Sequence, residues 1–195
     1  MGISNFALDE FVSQDLSKLT ACSPQSLASE IPDREHWFGQ FVLRRIFHNH
    51  VSGEKAALAF ALLRRTDAAI DEWELACAAS RENLRQPAAY FKLLRHLENC
   101  VAQLWQGLEF GRKAIGKDLF QKNDGSVFAR LSWVYNVSRH FNPDSLRPGE
   151  LHRIWVANDG LQTREQALLF DEIREKIKLL ARIVDKFAGP ARDAG

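Results

Sequence analysis

The chain has 195 residues, of which 46% are hydrophobic and 26% charged, with six prolines and eleven glycines. Such a composition can bury a core, and it excludes collagen-like, linker-like and disordered polymers. Lys and Arg number 26 against 25 Asp and Glu, a net charge of +1, so no global field draws the chain to nucleic acid or anionic membrane and any nucleic-acid site must be local.

Leu8, Phe11, Val12, Leu16 and Leu19 fall on one face of a short helix that Ser23-Pro24 ends. Pro32, followed by Asp33 and Glu35, signals a second helix start, since proline fits the first turn and acids favour the positive end of the helix dipole. Trp37, Phe38, Phe41, Val42 and Ile46 supply its buried stripe. After the break at Val51-Ser52-Gly53, the stretch Glu54 to Ser80 is rich in strong helix formers, with Leu58, Leu62, Ile70, Trp73 and Cys77 along one side. Tyr90, Leu94, Leu97, Val101, Leu104 and Leu108 then recur at alternating threes and fours, a seam for packing against neighbouring helices. Two long antiparallel helices joined by a short turn are expected, and their apolar stripes require later helices to cover them.

Asn123-Asp124-Gly125 is a turn, and Ser126 caps a helix from Val127 to Phe141 with Val127, Phe128, Leu131, Val134 and Tyr135 inward. Asp144 to Asn158 reads as a loop holding one extended segment at Ile154-Trp155-Val156. Asp159-Gly160 makes a further turn. Thr163 with Gln166 forms a capping box for a last helix carrying Phe170, Ile173, Ile177, Leu180, Val184 and Phe187, which Gly189-Pro190 stops. The expected organisation is an all-α antiparallel bundle over residues 51–189, a helical segment over 1–50 that is appended to it or part of it, and a loose tail over 190–195.

Cys22, Cys77 and Cys100 are an odd set without a C-x-x-C pair, which argues against a disulfide framework or zinc knuckle and points to a reducing compartment. The N-terminal MGISNFALDEF has neither a basic n-region nor a long apolar h-region, and charge interrupts every later apolar stretch before about 18 residues. A soluble, cytoplasmic protein with no membrane partner is the expectation. Phosphate-loop, dinucleotide, zincin and nucleophile-elbow motifs are absent from the sequence. His48 and His50 diverge on a helix with no acid or cysteine to complete a metal set, so neither a metal nor a cofactor is expected. Arg-x-x-x-x-His occurs as Arg45 to His50 and as Arg147 to His152, spacings that chance also supplies.

The most informative segment is Ser132-Trp133-Val134-Tyr135-Asn136-Val137-Ser138-Arg139-His140. On a helix, Asn136, Arg139 and His140 project from one side, with Trp133 a turn earlier. An imidazole can shuttle a proton at neutral pH, and a guanidinium can hold two phosphoryl oxygens as charge develops on them. Together they can assist attack of a ribose 2′-hydroxyl on the adjacent phosphate without a metal. The same residues also suit an ordinary polar face ending in a basic turn that complements the helix dipole. Arg147, His152, Arg153 and Trp155 can form a stacking and phosphate-contacting surface for single-stranded RNA or a nucleotide, or Trp155 can fold back as an aromatic plug.

Two long antiparallel helices, a shorter helix carrying Asn-x-x-x-His near its end, a loop and a final amphipathic helix resemble the HEPN superfamily (higher eukaryotes and prokaryotes nucleotide-binding). That family's motif is an arginine, a polar residue that is often Asn, about three residues and a histidine. Asn136 and His140 match it, Tyr135 stands at the arginine position, and Arg139 is the cation one turn away. The resemblance, over residues 52–189, implies a homodimer whose motifs meet across a two-fold interface. It implies a metal-independent endoribonuclease of toxin–antitoxin and phage-defence systems, or a member that has lost the motif and serves as a binding or assembly module. On the first reading His140 is the general acid/base, Arg139 the phosphate clamp and Asn136 the orienter. On the second the chain is a catalytically silent helical protein that binds a partner protein.

Overall fold

The long hairpin forms as the periodicity predicts: α2 spans Gly53–Ala79 and α3 spans Pro87–Ile115, with α1 (Trp37–His48) before them. The structure, a computed structural model, describes residue 12 and residues 18–48, 52–116, 118, 124–140, 142–146 and 148–188. Most of the helix expected over Leu8 to Leu19, and the tail over 190–195, lie outside the described residues. Pro87 opens α3 where its missing N–H costs nothing. Leu62, Ile70, Trp73 and Cys77 of α2 meet Tyr90, Leu94, Leu97, Val101, Leu104 and Leu108 of α3, and all are buried. Ala59, Ala69 and Ala76 keep α2 thin along the seam. Each large side chain so buried contributes about 1.5–3 kcal/mol of transfer free energy.

The last helix, α5 (Phe170–Ala188), lays Phe170, Ile173, Ile177, Leu180 and Val184 over the hairpin. Gly107 of α3 permits this approach: a Cβ there would stand 2.6 Å from Leu180 Cδ1. The shorter α4 (Val127–Arg139) packs on α3 through Leu131 and Val134, and Ser126 Oγ accepts the Ala129 N–H at 3.4 Å as its cap. Among the described residues no helix is long and apolar enough to cross a membrane.

The segment before residue 49 joins the same core through Leu27, Trp37 and Phe41. It is tied down by polar groups of the bundle. Glu74 accepts the Leu27 N–H at 2.7 Å and the Ser26 hydroxyl at 2.7 Å. Trp73 Nε1 donates to Gln25 O at 2.8 Å, and Trp37 Nε1 to Asp185 Oδ1 at 2.8 Å. Pro32–His36 forms a 3-10 turn ahead of α1 rather than its first α-helical turn. The expected buried stripe of α1 divides: Trp37 and Phe41 are buried, whereas Phe38, Val42 and Ile46 are exposed.

The mainly helical reading holds, but an entirely helical one does not. A small antiparallel sheet, ordered β1-β2-β3, stands between α4 and α5: β1 Trp155–Val156, β2 Gly160–Gln162 and β3 Ala167–Leu169. Val156 pairs with Leu161, and Leu161 with Leu168. Thr163 and Gln166 close the β2–β3 turn instead of opening a helix. Thr163 Oγ1 accepts the Gln166 N–H at 3.0 Å, while the Thr163 N–H reaches Gln166 O at 2.8 Å. The same local hydroxyl-to-backbone bond serves a helix cap and a tight turn.

Gly160 is fixed by this sheet, since a Cβ there would lie 2.3 Å from the Leu168 carbonyl oxygen, a backbone atom with nowhere to move. Gly160→Ala is expected to lower unfolding free energy by about 2–3 kcal/mol. A denaturant melt followed by circular dichroism measures it, and an unchanged midpoint would refute the close approach.

Candidate functional site

α4 presents two faces. Leu131 and Val134 are buried, and Tyr135 is half-buried with its ring 6.2 Å from that of Trp105 and inclined by 31°. Asn136, Arg139 and His140 lie on the exposed side. The helix ends at Arg139, two residues before the expected Phe141, which lies outside the described residues. His140 is its C-cap, with extended backbone (φ −114°, ψ 91°), and its N–H still donates to Asn136 O at 2.9 Å. The imidazole therefore leaves from a residue already turned out of the helical path. Arg139 in the last turn complements the negative end of the helix dipole.

Among the described residues, the side chains of Asn136, Arg139 and His140 make no hydrogen bond or ion pair. Many other cations are neutralised. Arg34 binds Asp67 at 2.7 Å and also Asp71; Arg130 binds Glu172; Arg174 and Lys178 both bind Glu30. Tyr135 turns its ring toward the core, against Trp105.

The second group of expected contacts is dispersed. Trp155 is 6% exposed, and its neighbours Ile154 and Val156 are fully buried, because this apolar run is β1 rather than an open loop. It offers no face on which a base can stack, which corrects its reading as a stacking residue. Val156 N–H donates to the buried Tyr90 hydroxyl at 3.0 Å. His152 Nε2 sits 3.1 Å from Glu98 Oε1, and Arg153 reaches Glu165 at 3.2 Å. Both are thus already engaged by carboxylates. Arg147 lies outside the described residues.

Two clefts lie against the N-terminal segment, and neither is lined by α4. One, of about 260 Å³, is bordered by Glu30, Pro32, Lys178 and Asp185. The other, of about 520 Å³, is bordered by Leu27, Arg34, Phe38, Asp67, Asp71 and Glu74. Its carboxylates disfavour a phosphate ligand. Among the described residues no group of three or more His, Cys, Asp and Glu can hold a metal ion. His96 Nδ1 is 2.7 Å from Glu72 Oε2 across the α2–α3 hairpin, a part-buried contact between residues 24 positions apart in the chain.

The sequence reading also missed the outward face of α1. Its signal was present: between Trp37 and Phe47 only Gln40, Arg44 and Arg45 are polar. Phe38, Val42, Leu43, Ile46 and Phe47 face outward from this helix.

Comparison with protein-family models, with curated proteins and with solved structures finds no match to this chain.

The cysteines take no part in an exposed site. Burial pushes the Cys22 and Cys77 thiols up to about 12 and raises Cys100 as well. At pH 8 the thiolate fraction at a pKa near 12 is on the order of one in ten thousand. A disulfide reagent such as DTNB is expected to leave the native protein unlabelled over minutes and to titrate three thiols after denaturation. Rapid native labelling would show the burial to be wrong.

Proposed function

We propose that the chain is an RNA- or nucleotide-directed effector of the toxin or phage-defence kind, working through the C-terminal end of α4. The observation that carries this reading is an exposed amide, guanidinium and imidazole at positions 136, 139 and 140 of one helix end, with no carboxylate among the described residues to neutralise them. Arg139 holds the phosphate by paired N–H donors. His140 takes the proton of the ribose 2′-hydroxyl as that oxygen bonds to phosphorus and the bond to the 5′ oxygen breaks. The ring then returns the proton to the departing 5′ oxygen, leaving a cyclic phosphate and a free hydroxyl. Asn136 orients the strand. Arg153 and His152, each held by a carboxylate, act at most on the margin of this surface.

A second reading, a catalytically silent assembly module, is favoured by Tyr135. Its inward ring leaves the motif without the cation that the family uses, and a phenol carries no permanent charge for a phosphorane.

Incubating the protein with single-stranded RNA in EDTA, beside His140→Ala and Arg139→Ala, separates the two. Cleavage by the parent, reduced about 100-fold or more in each variant, is expected of the effector. RNA left intact by the parent, with no salt-dependent binding, would remove this reading and leave the assembly module.

A further inference from the structure

The chain has five tryptophans, and four of them are committed to the core. Trp37 and Trp73 are fully buried, and Trp105 and Trp155 are 8% and 6% exposed. Trp133 of α4 is the exception, at 40%. Among the described residues its indole makes no hydrogen bond, ring contact or cation contact. Other rings of the same helix are covered: Lys176 Nζ stands 4.3 Å from the centroid of Phe128, and Tyr135 lies against Trp105.

Trp133, Asn136 and Arg139 recur every three residues, about one turn apart, and all three are exposed, on the side of α4 away from Leu131 and Val134. α4 contains no acid, and of its two arginines Arg130 is held by Glu172 while Arg139 has no carboxylate partner among the described residues. A single exposed apolar side chain is ordinary on a protein surface. An exposed indole in line with an amide and an unneutralised guanidinium combines the three contacts that an unpaired nucleic-acid strand offers: a base face, a polar edge and a phosphate. At a rise of about 1.5 Å per residue, Trp133 and Arg139 are about 9 Å apart along the axis. A base and a backbone phosphate of the same or the next nucleotide can bridge that span.

We propose that Trp133 is the base-stacking residue of the α4 surface and that it restricts the ligand to single-stranded RNA. It takes the stacking role expected of Trp155, whose ring is buried with β1. Arg139 holds a phosphate whether or not the base above it is paired. A base inside a duplex has both faces covered by its neighbours, so only an unpaired one can be laid on the indole. The proposal rests on the reading of α4 as an RNA-directed surface and adds to it the preference for an unpaired strand.

Because no other tryptophan is more than 8% exposed, the intrinsic fluorescence that acrylamide can quench reports on Trp133. A single-stranded 2′-O-methyl oligoribonucleotide, which the proposed reaction cannot cut, is expected to quench this fluorescence and to shield it from acrylamide. The same strand annealed into a duplex is expected to leave it accessible. By anisotropy of the end-labelled strand, Trp133→Ala is expected to weaken single-strand binding about tenfold or more and duplex binding by less than about threefold. Trp133→Phe, which keeps an aromatic face, is expected to stay within about threefold of the parent and keeps the test decisive should the alanine variant fold poorly. Arg139→Ala is expected to weaken both ligands alike. Single-strand binding that leaves Trp133 accessible to acrylamide, or that is indifferent to Trp133→Ala, overturns the proposal while the effector reading stands on Arg139 and His140. So does an alanine variant that loses duplex and single strand equally. A parent that binds neither ligand overturns both the proposal and the reading beneath it.

Discussion

The apolar seam between α2 and α3 is the constraint on which every other element rests. Trp73, Tyr90, Leu97, Leu104 and Leu108 are fully buried or nearly so, and their transfer out of water is the largest favourable contribution in the molecule. Two amphipathic helices alone leave half of that surface wet. α5 covers one opening, α4 another, and the small sheet closes the end where Tyr90 emerges and its hydroxyl takes the Val156 N–H. The sheet would be marginal by itself, with strands of two and three residues. It persists because Ile154, Val156, Leu161 and Leu168 are buried in the same core.

Polar contacts then decide register rather than bulk stability. Glu74, Asp185 and Asn158 each reach from the bundle to the N-terminal segment, the last accepting the Thr20 and Ala21 N–H groups at 3.0 and 3.2 Å. Such bonds contribute about 1 kcal/mol each, but leaving a buried partner unmade costs more, so they specify one position for α1. That position determines which half of α1 is covered. Trp37 is committed to Asp185 and the core, and the opposite half is left facing outward.

The long helices were legible in the sequence because 25 or more residues of periodic burial leave little choice of secondary structure. The sheet was not legible for the complementary reason: two or three residues of alternation carry no period, and Thr163-x-x-Gln166 has the same spacing in a helix cap and in a tight turn. At the candidate site, the exposure of Asn136, Arg139 and His140 followed from the inward stripe of Leu131 and Val134. The burial of Trp155 agrees with its reading as an aromatic plug, whereas the fate of His152 did not follow, since it was decided by Glu98, a partner far away in the chain. The periodicity of α1 misled in a different manner. Its spacing gave the helix correctly, but an apolar residue at nearly every position is compatible with any inward side, and only tertiary contacts choose one.

The two surfaces left open by this fold are of opposite kinds. The end of α4 is polar and presents a cation with no carboxylate beside it among the described residues. The outer side of α1 is apolar and bordered by charges of both signs. They also sit on different supports, α4 on α3 and β3, and α1 on α5 and α2. Desolvation separates their roles. Hydrated arginine and histidine at α4 lose little by remaining in water until a charged ligand arrives, so that surface can work intermittently. Five large apolar side chains on α1 gain free energy only from being covered. Because the two surfaces rest on different supports, a change at one need not disturb the geometry of the other.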